Sequence, residues 1–110
     1  MANKKRTKRS IGGEKIVKVK YIQGRLIFKG RVQGVGFRYF VLKEASQFEV
    51  RGFVKNLFPN GVEVVAEGEK SEVEHFFREI REGPVSASIR DIFEEWLPYS
   101  GNYETFQVEY

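Results

Sequence analysis

An α+β sandwich is what this 110-residue sequence predicts: an antiparallel sheet with two helices on one face and a short fifth strand. Three observations carry it. Four main stretches alternate apolar and polar side chains, the period of a strand with one buried face. Two others place apolar residues at helical spacing: Phe37, Phe40, Val41, Ala45 and Phe48, then Val73, Phe76, Phe77 and Ile80. Their order along the chain is β-α-β-β-α-β, the split βαβ or ferredoxin-like pattern.

Residues 1–13 are polar and basic without periodicity, and they read as disordered. The alternative is an arm for nucleic acid or an acidic surface. Residues 16–20 alternate and could form an extra edge strand, where lysines would discourage further pairing. We therefore divide the chain into a basic extension, 1–20, and a folded domain, 21–110. Strand one spans about 25–32, with Leu26, Phe28 and Val32 on one side and Lys29 and Arg31 on the other. The first helix spans 37–47. Strands two (51–57) and three (62–67) flank Phe58-Pro59-Asn60-Gly61, whose Pro and Asn-Gly supply turn dihedrals, so they form a hairpin. In strand three Val62, Val64 and Ala66 face one side, Glu63 and Glu67 the other. Ser71-Glu72-Val73-Glu74 reads as a capping box opening a helix that Gly83-Pro84 ends near residue 82. His75 lies off that helix's apolar stripe and is expected at the surface. Residues 87–96 are strand-like, with a break near Asp91 that suggests an edge strand or bulge. Residues 97–104 form a loop, and 105–110 alternate again.

Composition narrows the chemistry. With no cysteine, disulfides, thiolate metal sites and cysteine nucleophiles are excluded, and a reducing, cytoplasmic location is expected. One histidine, His75, and one aspartate, Asp91, leave little material for a metal cluster or an aspartyl-phosphate intermediate. No apolar run reaches the ~20 residues of a membrane span. The net charge of +4 hides an asymmetry: residues 1–20 carry +7 and residues 21–110 carry −3. The domain proper is mildly acidic.

One stretch stands apart. Gly30-Arg31-Val32-Gln33-Gly34-Val35-Gly36-Phe37-Arg38 joins a strand end to a helix start through a glycine loop. Such a junction gathers free backbone N–H groups at the positive end of a helix dipole, an anion site. Arg38 stands in the first helical turn, where the dipole disfavours a cation unless an anion bridges the two. A planar guanidinium beside converging N–H donors suits phosphate. Right-handed crossovers put strands one and two parallel, with strand three between them. Asn56 then ends strand two at the same sheet edge, roughly 10 Å from strand one, within reach of the loop and Arg38.

On these residues the chain resembles the acylphosphatase family. The carriers are the nine-residue stretch above, then Gly52-Phe53-Val54-Lys55-Asn56, then Asn60-Gly61-Val62-Glu63-Val64-Val65-Ala66-Glu67-Gly68. The likeness spans about 25–110. It implies hydrolysis of the carboxyl-phosphate bond of acyl phosphates with no metal or other cofactor; a small monomer with no membrane or nucleic-acid partner is expected. It implies that Arg38 binds phosphate, that the backbone of Gln33, Gly34, Val35, Gly36 and Phe37 cradles its oxygens, and that Asn56 orients the attacking water. Two departures stand out: Glu49, where the family commonly has the glycine that ends the first helix, and Phe53, where tryptophan is frequent.

Two other functions fit the same fold. An RNA-binding module would stack bases on aromatics of the central strands, and Arg51-Gly52-Phe53 begins such a motif. It lies on strand two, however, and strand three has no aromatic. A non-catalytic phosphate-binding or maturation module within a larger protein is the other. With nothing following Tyr110, a free-standing enzyme is expected.

Overall fold

The structure is a computed structural model and describes residues 19–110. Its elements follow the expected order: β1 (Tyr21–Arg31), α1 (Phe37–Ala45), β2 (Arg51–Leu57), β3 (Gly61–Glu69), α2 (Lys70–Ile80), β4 (Ser88–Pro98) and β5 (Phe106–Val108). They form one five-stranded sheet in the order β4-β1-β3-β2-β5. β3 lies between β1 and β2 and runs antiparallel to both, as the crossover rule requires. The expected disorder of residues 1–13 and most of the extra edge strand at 16–20 lie outside the described residues; Val19 and Lys20 precede β1.

Apolar alternation on the strands meets the helical stripes to form the core. Leu26, Phe28, Val54, Val62, Val64 and Ala66 are buried against Phe37, Val41, Ala45, Val73, Phe76 and Ile80. Each large side chain so buried contributes about 1.5–3 kcal/mol. β1 starts four residues earlier than its pattern suggests, because Gly24 breaks the alternation. A Cβ there would lie 2.5 Å from the Phe77 ring, so glycine lets that ring and Trp96 pack onto the strand. The irregularity near Asp91 is a bulge: Lys29 pairs with Asp91 and Gly30 with Ile89, leaving Arg90 unopposed on β4.

Two expectations need correction. The sheet is mixed, because β5 pairs parallel with β2. β4 ends beside the start of β1, the same end at which β2 begins, so the chain crosses that end and enters the far edge running with β2. The capping box does not form. β3 runs straight into α2, Glu69 is the N-cap without a side-chain bond, and Ser71 falls inside the first turn. A backbone bond replaces the cap, with Lys70 N–H donating to the Lys20 carbonyl at 2.8 Å. α1 already ends at Ala45 with Ser46 as its C-cap, and Glu49, further on, donates its N–H to the Glu72 carboxylate on α2 at 2.8 Å.

Glu63 and Glu67 carry a feature that alternation alone does not reveal. Both face away from the helices, as alternation dictates, yet both are buried. Arg25 covers Glu63 through a 2.6 Å ion pair. Glu67, 2% exposed, is covered by the loop that carries the chain from β4 to β5. It accepts from the Ser100 N–H and hydroxyl (2.6 Å each), the Gly101 N–H (3.0 Å) and the Gln23 amide (2.8 Å). Tyr103 then stacks on Phe53, ring centres 5.9 Å apart. Burial raises the Glu67 pKa, but the bonds from Ser100, Gln23 and Gly101 outweigh it and hold the group below its ordinary 4.5.

A carboxylate clasp of this kind is testable. Since the folded pKa is depressed, its stabilisation is complete above the unfolded value and vanishes as pH falls through the folded one. Glu67→Gln, which puts an amide opposite N–H donors, is expected to cost about 2 kcal/mol at neutral pH. Denaturant titrations from pH 7 down past 4.5 should show the gap between wild type and variant closing with acid.

Candidate active site

The loop between β1 and α1 is fixed at both ends. Val32 is buried in the core, and so is Phe37, whose ring centre lies 4.9 Å from that of Phe28. Between them Gln33 reaches across the sheet edge and donates its side-chain amide to the carbonyls of Leu57 and Gly61, both at 2.8 Å. That brace ties the loop to both sides of the β2–β3 turn. The Val35 carbonyl accepts from the Ser86 hydroxyl at 3.0 Å. Gly34 and Gly36 take φ of 73° and 79°. A Cβ at either would meet nothing within 4 Å, so backbone dihedrals alone call for glycine here.

Gly36 is the N-cap of α1, no side chain caps the helix, and no acid stands in its first turn. The dipole's positive end is therefore uncompensated from within. Arg38 adds a full charge in that turn. Among the described residues no ion pair involves Arg38. Its guanidinium carbon lies instead 5.0 Å from the centre of the Tyr110 ring, a cation–π contact that leaves the fork's edge donors free.

Asn56 arrives from the strand side. Phe28, Val62 and Asn56 occupy one row across β1, β3 and β2. Two residues from the buried Val54, the Asn56 side chain shares its face of β2 and points toward the helices. It opens on the same cavity as Gly34, Gly36, Phe37 and Arg38, a space of about 270 Å³. The cavity thus has one polar region, built from a guanidinium, a carboxamide and the glycine loop. Its chemistry suits a tetrahedral anion.

Of the residues singled out in the sequence, these five meet at the cavity, whereas Gln33 and Val35 do not line it and serve as braces through the bonds above. Sequence reasoning missed the apolar walls: Tyr39, Leu42, Val108 and Tyr110. Leu42 was legible, four residues after Arg38 on one helical face. Val108 and Tyr110 were not, since their place depends on the parallel pairing of β5. His75 is exposed on α2 and absent from the cavity.

Comparison with known proteins gives one family throughout. A sequence model described as acylphosphatase matches residues 24–108. An acylphosphatase of Caldanaerobacter subterraneus subsp. tengcongensis is 38% identical over 79 residues, covering 72% of this chain and 88% of that protein. The crystal structure of acylphosphatase from Bacillus subtilis superimposes with a TM-score of 0.76 at 36% identity, over 81% of this chain and 99% of that one. The chain is also similar to a part of full-length HypF, solved in a phosphate- and nucleotide-bound form, with a TM-score of 0.73 and 29% identity over 84% of this chain and 12% of that one.

An uncompensated helix start beside an arginine with no ion pair among the described residues should report on anions directly. Inorganic phosphate at a hundredfold excess over its Kd is expected to stabilise the domain by about 2.7 kcal/mol, read as a rise in Tm. Arg38→Ala should remove most of that rise. In phosphate-free buffer the same variant should melt no lower than wild type, because a cation at a helix N-terminus opposes the dipole.

Proposed function

The chain belongs to the acylphosphatase family, and on that premise we propose how its site hydrolyses the carboxyl-phosphate bond of acyl phosphates to carboxylate and inorganic phosphate. The Arg38 fork binds two phosphoryl oxygens side by side. Backbone N–H groups of the Gln33 to Phe37 loop and of the first turn of α1 take the remaining charge. Asn56 holds a water on the strand side, in line with the bond to be broken. As the water oxygen bonds to phosphorus, the P–O bond to the acyl group breaks and its electron pair leaves on the carboxylate. The water proton passes to a phosphoryl oxygen of the substrate.

The leaving carboxylate is a weak base, with a conjugate acid of pKa about 4, so no general acid is required. Positioning and charge stabilisation carry the rate. No metal or other cofactor enters the scheme. Among the described residues no three His, Cys, Asp or Glu side chains are grouped to hold an ion. The observation that carries the reading is the convergence of Arg38 from α1 and Asn56 from β2 on one cavity walled by two left-handed glycines.

A cytoplasmic, monomeric enzyme of residues 21–110, with 1–20 as an extension whose first thirteen residues are dispensable, belongs to the same proposal. No described helix is long and apolar enough to cross a membrane. The RNA-binding alternative has less support: Phe53, which would stack a base, packs against Tyr103 under the covering loop. The likeness to part of HypF favours a second reading, a phosphate-binding module without turnover. An assay with benzoyl phosphate separates the two.

Arg38→Lys keeps the charge and loses the paired donors. It is expected to lower kcat/KM by at least ~10²-fold, nearly as far as Arg38→Ala. Asn56→Ala should lower kcat while leaving the inhibition constant of inorganic phosphate near wild type, since its water is ordered only toward the transition state. Both are read from steady-state kinetics with chelator present, which should leave the wild-type rate unchanged. Removing residues 1–13, a stretch without apolar periodicity, should leave kcat within about twofold of the full chain.

A further inference from the structure

The cavity is chemically divided, and only half of it has been used. Phosphate occupies the glycine loop, Arg38 and Asn56. The remaining walls are Tyr39, Leu42, Val108 and Tyr110, and Arg38 is the sole charged side chain among the lining residues. Resting on the reading above, we propose that this second half is an acyl-group subsite, that it selects acyl phosphates whose acyl group is apolar and planar, and that Tyr39 and Leu42 are its specificity-determining residues.

In-line displacement singles out those two. The water sits on Asn56, on β2, so the acyl oxygen must depart on the side away from that strand. The wall there is α1, which carries Arg38. Leu42, four positions after Arg38, shares its helix face, and Tyr39 lines the same cavity from the first turn. Tyr39 is 72% exposed, a large ring in the first turn with most of its surface in water. Leu42 is half-buried beneath it. A planar acyl group lying along them would exclude water from both and from the carboxyl-phosphate bond. Val108 and Tyr110 close the other side. β5 pairs Val108 with Val54, and the Glu109 N–H donates to the Val54 carbonyl at 2.9 Å, which carries Tyr110 forward to the level of Asn56.

Size and charge set the limits. A cavity of about 270 Å³ falls just below the ~300–1,000 Å³ of sites that enclose drug-sized ligands, so it admits one ring beside a phosphate and not a nucleoside. An acyl group with its own carboxylate, phosphate or ammonium would lose hydration against Tyr39 and Leu42 and gain no partner. An acetyl group would reach little of the wall.

Benzoyl phosphate and acetyl phosphate leave as carboxylates of similar acidity, so their difference in kcat/KM reports the wall. Two non-hydrolysable analogues, benzoylmethylphosphonate and acetonylphosphonate, report it by calorimetry without turnover. The wild-type chain is expected to favour the aryl member of each pair by at least tenfold. Tyr39→Ala, at an exposed position, and Leu42→Ala should each reduce that preference at least fourfold, the kinetic part appearing mainly in KM. A preference that stays within twofold of wild type in both variants overturns the subsite and leaves the hydrolytic reading standing. A wild-type chain that turns over neither acyl phosphate, while the phosphonate preference still falls in the variants, supports the subsite and overturns the hydrolytic reading. No turnover with an unmoved phosphonate preference overturns both.

Discussion

Phe37 packs on Phe28, and the geometry of the site follows from that contact. The ring is buried, 4.9 Å from its partner, and it belongs to the first residue of α1. Where it sits in the core decides where the helix starts above β1. The start decides where the free amides point, and Arg38 follows one residue later. The two left-handed glycines let the chain turn tightly enough for an aromatic at position 37 to reach back into the core. The loop is therefore held by apolar packing at its ends and by the Gln33 brace across the sheet edge, while its polar interior stays open to ligand. A rigid scaffold presenting unsatisfied donors is what electrostatic preorganisation requires.

The opposite face of the sheet bears on the site through one chain of contacts. Glu67 clasps Ser100 and Gly101, and this holds the crossing loop against the back of the sheet. That loop delivers β5 to the free edge of β2 in parallel register. β5 in turn supplies Val108 to the cavity and leads Tyr110 over Arg38. A buried carboxylate on the far face thus helps set an aromatic ring beside the guanidinium. Its cost is contained because each donor around it is a good partner and the charge is shared among four hydrogen bonds.

Local pattern and a handedness rule together made most of this legible. Strand alternation located β2 and β3, helical stripes located both helices, and the crossover rule alone brought Asn56 to the edge that holds the glycine loop. What escaped was set by pairing between distant segments. The parallel register of β5 depends on which edge the last strand reaches, and no neighbour in sequence encodes that. Ser71 and Glu74 carry the signature of a capping box, but β3 enters α2 without a loop, so the local preference is overridden. Glu63 and Glu67 were placed on the correct face, but alternation did not reveal their burial. Alternation tells direction and not cover, and the cover here comes from Arg25 and from backbone N–H groups thirty-odd residues away. The Gln33 side chain braces the loop, a role visible only once the hairpin carbonyls are in place.

Leaving a helix start uncapped and adding an arginine to it is a small burden for a domain of this size. The dipole term is about 0.3–1 kcal/mol per exposed charge, against a folding free energy of about 5–15 kcal/mol. The same arrangement is worth more once phosphate arrives, because the anion meets the guanidinium and the amides together and each bond is charge-assisted. In the proposed mechanism the developing charge of a loosely bonded phosphoryl group falls on the oxygens these donors would hold, so their attraction grows toward the transition state. A cap or an acid at the start of α1 would relieve the apo fold and fill the site with the wrong anion. The slight instability of the empty site and its proposed affinity for a transferring phosphoryl group thus have one cause, a cluster of donors with no acceptor of its own among the described residues.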